Sequence, residues 1–98
     1  TVDHAPGHTE GSVMFRPATE AGEDPILISG DVLFREGIGR TDLPGGSPVV
    51  MQQSLRDKCL ILADNTVVLP GHGDSTTIGH ERLHNPFIDG GSAPSRGL

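Results

Sequence analysis

The stretch Thr66-Val67-Val68-Leu69-Pro70-Gly71-His72-Gly73 decides how this chain is read. Its β-branched first half is a short strand, and Pro-Gly ends that strand abruptly. A histidine follows at once. The same word occurs near the start of the chain, where Val2 to Ala5 reads as a strand and Pro6-Gly7-His8 follows it. A third instance has a carboxylate in place of the imidazole: Ile26-Leu27-Ile28-Ser29 reads as a buried strand and Gly30-Asp31 comes next. Three residue types that bind metals thus stand at strand ends, each beside a glycine that permits a sharp turn. Open α/β sheets place their sites at strand ends. Neutral imidazoles with a carboxylate suit zinc, iron or manganese, and a carboxylate can bridge two ions. By spacing alone, three unrelated turn residues explain the pattern equally well.

Outward from these words the chain is mixed α and β. Ser12 to Arg16 reads as a further strand, joined to Ile26 by an acidic hairpin-type connection from Pro17 to Pro25. Val32-Leu33-Phe34 leads into a Gly-rich loop, Gly37 to Gly46, long enough to suggest a function. Ser47-Pro48 opens a helix, with Ser as N-cap and Pro at the first helical position. Val50, Met51, Ser54, Leu55, Lys58, Cys59 and Leu62 give that helix one packing stripe, and Ala63-Asp64-Asn65 stops it. A second short helix covers Thr77 to Leu83 and ends before Asn85-Pro86.

Ninety-eight residues allow one small domain or part of a larger one. The 25 Leu, Ile, Val and Phe residues lie above the range of disordered chains, so the chain folds or belongs to something that folds. A formal charge of −6 and the absence of any Lys/Arg cluster argue against nucleic acid as a partner. No apolar run approaches the roughly 20 residues of a membrane span. The lone Cys59 excludes an internal disulfide and fits a reducing compartment, which points to the cytoplasm. Its place in the helical stripe marks it as a buried, inert thiol.

His80-Glu81-Arg82-Leu83-His84 matches the zinc-protease word H-E-x-x-H. The helix there is a short one cut off by Asn85-Pro86, with no third ligand following it except in the tail. The expected reading is a surface helix with two solvated histidines. His4, four residues before His8, reads as a structural neighbour. Thr9 and Ser12 are turn and cap formers.

Taken in order, His4-Ala5-Pro6-Gly7-His8-Thr9 with Gly11-Ser12, Ser29-Gly30-Asp31, Gly39-Arg40-Thr41-Asp42-Leu43-Pro44, and Leu69-Pro70-Gly71-His72-Gly73 with Glu81-Arg82 and Asn85-Pro86-Phe87 resemble the second half of the metallo-β-lactamase superfamily. The likeness is to the glyoxalase II (hydroxyacylglutathione hydrolase)-like branch in its short form. The run from Asp89 to Leu98 reads by its composition as a flexible tail. Over residues 1–88 the likeness implies an α/β (α+β) fold, the second half of an αββα sandwich. It implies His8 as a ligand of a first metal, His72 of a second, and Asp31 as the catalytic carboxylate bridging both. The ions implied are two zincs, with iron or manganese as alternatives. Arg40 and Asp42 would pin the Gly-rich loop near the metals by an ion pair.

The resemblance further implies an enzyme that hydrolyses S-acylglutathione-like thioesters through a metal-bound hydroxide. The family's H-x-H-x-D-H loop has no counterpart among these residues and is expected upstream of Thr1. With it missing, each ion has two ligands from this chain where the complete site offers four. The 98 residues alone are therefore expected to bind metal weakly and to be inactive. Two alternatives accompany this reading: a persulfide dioxygenase-like enzyme with a single iron, which shares Gly-Arg-Thr-Asp, and a non-catalytic half-domain acting by association. An exposed sheet face would let such a half form a homodimer or pair with the missing N-terminal half.

Overall fold

The computed structural model describes residues 1–88, and the tail expected from Asp89 onward lies outside them. Five strands form the main sheet: β1 (Val2–His4), β2 (Val13–Phe15), β3 (Ile26–Gly30), β6 (Val67–Pro70) and β7 (Thr76–Thr77), side by side in that order. Pairing is antiparallel except between β3 and β6, which run parallel. Two short strands, β4 (Leu33–Phe34) and β5 (Gly37–Ile38), make a separate hairpin. Helix α1 covers Pro48–Ser54 and helix α2 covers Ile78–His84. The mixed α/β architecture matches the expectation.

Alternation along the strands separates the two faces of the sheet. Met14, Leu27 and Val68 are buried and join Met51, Leu55 and Cys59 in one core. Burial of such side chains contributes about 1.5–3 kcal/mol each. On the opposite face the register lines up Val2 with Phe15, Phe15 with Ile28, and Ile28 with Leu69, and all four are exposed. The Ile26–Ser29 run was expected to be buried throughout. Instead Leu27 and Ser29 are buried and Ile28 is 40% exposed, because this sheet is covered on one face only among the described residues.

Helix α1 starts as its sequence dictates, the Ser47 side chain accepting a hydrogen bond from the Val50 N–H at 3.2 Å with Pro48 in the first turn. It then widens into a π-helical turn over Leu55–Cys59, closed by the Leu60 N–H on the Leu55 carbonyl. The helix stops earlier than its stripe suggested. The Leu60 and Leu62 carbonyls are taken by the Arg82 guanidinium, at 3.0 and 3.1 Å, which replaces continued helical bonding. Gly37–Ile38, expected to be loop, forms β5 because the chain turns at Glu36 with φ of 57°.

Candidate metal site

Strand direction explains why three distant words meet. β1 is antiparallel to β2, β2 to β3, and β3 is parallel to β6, so β1, β3 and β6 all point the same way. The residues following each of them gather at one end of the sheet. There His8, Asp31 and His72 line a hollow of about 380 Å³ together with Phe34, Gly39 and Arg40.

The segment carrying His8 is clamped by helix α1. The Ser47 N–H donates to the Gly7 carbonyl at 2.8 Å, and the Ser54 hydroxyl donates to the Pro6 carbonyl at 2.6 Å. Gly7 itself has φ of 140° and lies so close to the Met51 backbone that a Cβ would overlap it. His8 Nδ1 lies 2.9 Å from the Arg40 carbonyl. A carbonyl only accepts, so Nδ1 carries a proton, which in a neutral ring leaves the Nε2 lone pair for a metal.

Asp31 sits within a tight turn in which the Val32 N–H bonds the Ser29 carbonyl and Gly30 takes φ of 54°. Around it, Gly39 has no Cβ because one would overlap the Asp31 carbonyl, and a Cβ on Gly71 would stand 3.3 Å from Asp31 Oδ1. The carboxylate splits its two oxygens between the imidazoles: Oδ2 is 3.9 Å from His8 Nε2, and Oδ1 is 3.9 Å from His72 Nε2. Both separations exceed hydrogen-bond reach, so the donors face a common space. His72 is held from the side by Phe34, whose ring stacks on it with centroids 4.6 Å apart.

This donor set of two neutral imidazoles and one carboxylate fits zinc, iron or manganese. Among the described residues no three His, Cys, Asp or Glu side chains converge tightly enough to enclose an ion. Each imidazole with its carboxylate oxygen offers two donors, one fewer than the three protein ligands a catalytic zinc generally takes.

Arg40 and Asp42 form a two-pronged ion pair, at 2.8 and 3.0 Å, that raises the Arg40 pKa and lowers that of Asp42. The role of the Arg40 backbone as the partner of His8 was not foreseen. His4 lies in β1 with Nε2 2.6 Å from the Glu10 carbonyl.

The H-E-x-x-H segment differs from its expected reading. His80 is bound to Glu36 at 2.7 Å rather than solvated, and its ring packs against that of His84. Glu81 is fully buried, accepting from the Glu36 N–H, the Asn85 side-chain amide and the Thr76 hydroxyl. Glu81 and Asn85 entered the sequence reading as words of the resemblance, but no sequence pattern signals a buried, fully bonded carboxylate, so their role was not read. A second hollow, of about 480 Å³, lies at the other end of the sheet beside Thr1, Ile26 and Thr66. Its Arg16 is committed to Asp3 at 2.7 Å.

Imidazole and carboxylate side chains at the ends of a parallel strand pair stand where α/β folds place their sites. The chain belongs to the metallo-β-lactamase superfamily, whose family model matches residues 1–72. It is 57% identical over 90 residues to an uncharacterised protein of Mycobacterium tuberculosis. It is 44% identical over 86 residues to the hydroxyacylglutathione hydrolase GloC of Haemophilus influenzae, covering 88% of this chain and 39% of that one. The chain spans about 40% of the length of the M. tuberculosis relative and 91% of its own.

Solved structures agree. The B3 metallo-β-lactamase BLEG-1 superposes with a TM-score of 0.82 at 49% identity, over 92% of this chain and 41% of that one. TTHA1623, solved in a di-iron-bound form, gives 0.75 at 45% identity, over 89% and 41%. ETHE1 from Myxococcus xanthus gives 0.76 at 33% identity, over 91% and 39%. Among the described residues no helix is long and apolar enough to cross a membrane.

Proposed function

We propose that these residues form one half of a two-metal hydrolase site acting on thioesters of the S-acylglutathione class. The carrying observation is the Asp31 carboxylate, with Oδ2 toward His8 and Oδ1 toward His72, each at 3.9 Å. In this reading His8 and His72 would each help hold an ion, and Asp31 would contribute a carboxylate oxygen beside each. Bound ions of this kind acidify water and polarise a carbonyl. The chain's own part is positional. The Arg40 carbonyl fixes the His8 tautomer, Phe34 orients His72, and Gly39 and Gly71 leave the carboxylate room. The thioester preference draws on the likeness to GloC, and the two-ion reading on the likeness to a protein solved with two irons.

The remaining ligands would come from residues outside this chain, seated against the exposed apolar row Val2, Phe15, Ile28 and Leu69. The 98 residues alone would therefore bind ions weakly and turn over nothing. A second reading, a single-iron persulfide dioxygenase, is favoured by the likeness to ETHE1.

The test is metal analysis of the full-length protein together with thiol release from an S-acylglutathione. Two ions per chain are expected, and Asp31→Asn should lower kcat/KM on the order of 100-fold or more. One iron per chain with oxygen uptake and no thiol release would establish the second reading instead.

A further inference from the structure

One hairpin supports both imidazoles of the site, and one buried carboxylate fastens that hairpin. From β4, Phe34 stacks on His72; just past β5, the Arg40 carbonyl binds His8. Between the strands the chain turns through Glu36, whose φ of 57° is unusual for a residue with a side chain. The Glu36 N–H donates to Glu81 Oε1 at 2.8 Å. The Asn85 amide donates both to Glu81 Oε1, at 2.8 Å, and to the Gly37 carbonyl, at 3.1 Å. The Thr76 hydroxyl closes the set on Oε2 at 2.7 Å.

Burying a carboxylate costs free energy unless hydrogen bonds replace its water. Here two of the three donors tie it to the hairpin: the Glu36 N–H directly, and Asn85 by its second bond to Gly37. The proposed chemistry does not use Glu81, so what its burial secures is the placement of the hairpin.

We infer that Glu81, with Asn85, is a positioning residue for the metal site, setting His8 and His72 together through the β4–β5 hairpin. This rests on the reading of His8 and His72 as ligands. Displacing the hairpin moves the stacking partner of one imidazole and the hydrogen-bond partner of the other, so both should respond to a single change at Glu81. Arg82, one residue along, ties α2 to the Leu60 and Leu62 carbonyls and to the Asp64 carboxylate. It is the control for mere loss of stability.

The experiment records imidazole nitrogen NMR signals in the metal-free full-length protein, then zinc affinity by chelator competition. Glu81→Ala should shift the signals of both His8 and His72 and weaken zinc binding about 10- to 100-fold. Glu81→Gln, which keeps one carbonyl acceptor for the hairpin, should recover most of both. Arg82→Ala should lower Tm while leaving signals and affinity in place. Unmoved signals in Glu81→Ala, or equal shifts in Arg82→Ala, overturn the inference. Should Glu81→Ala not fold, Asn85→Ala carries the same expectation with smaller shifts. If His8→Ala and His72→Ala leave zinc affinity unchanged, the metal reading fails, while the metal-free signals still decide the role of Glu81.

Discussion

The Phe34 ring lies against the His72 imidazole with centroids 4.6 Å apart and planes inclined by 26°. The His72 side chain is 78% exposed, so this flat contact confines a ring that solvent would otherwise let turn. Orientation of a candidate ligand is thus delegated to a neighbouring hairpin.

Phe34→Leu keeps an apolar side chain but removes the flat face. Zinc affinity of the full-length protein should fall about tenfold, as for loss of other partners that orient a ligand. Thermal stability should change by less than about 1.5 kcal/mol, the usual range for apolar swaps of similar volume. Chelator competition beside a melting curve separates the two effects.

Gly7→Ala and Gly39→Ala should fail in different ways. At Gly7 the added methyl meets the Met51 backbone and the positive φ disfavours any side chain, so helix α1 is pushed off its clamp. A loss of about 1–3 kcal/mol or more is expected in denaturant unfolding. At Gly39 the methyl meets the Asp31 carbonyl and approaches His8 Cβ at 3.2 Å, so weaker metal binding should accompany any loss of stability.

Burial pushes the Cys59 thiol up to about 12, and its Sγ rests 3.8 Å from Met14 Sδ in the core. Almost no thiolate exists at neutral pH in the folded chain. Alkylation by iodoacetamide should be negligible without denaturant and complete with it. Rapid labelling of the native protein would contradict this placement.

The bond from His80 holds the Glu36 carboxyl below its ordinary value of 4.5. The folded chain therefore gives up this proton more readily than the unfolded chain does. The resulting stabilisation is complete above pH 4.5 and is lost as pH falls through the lowered folded value. Glu36→Gln should flatten part of the fall in Tm between about pH 5 and pH 3. Identical slopes in the two proteins would show that the pair contributes nothing.

Legibility followed locality. The Ser47-Pro48 start and the strand ends before His8, Asp31 and His72 are written in adjacent residues, and all were readable. Strand β5 was not, since its turn uses Glu36 in a conformation usually left to glycine. The role of Glu81 was hidden for another reason: one partner, Glu36, lies 45 residues upstream, and only the folded chain joins it to Thr76 and Asn85, five residues before and four after. Ile28 was misjudged because a continuous apolar run does not say whether one face or two are covered.

Strands β3 and β6 are locked in parallel from Ile26 opposite Val67 to Gly30 opposite Pro70, and Asp31 and His72 stand one and two residues beyond. A slip of two residues between them would displace the carboxylate by about 6.6 Å along the strand relative to its imidazole. The distance between the two side chains is thus set by the pairing of strands that neither side chain belongs to.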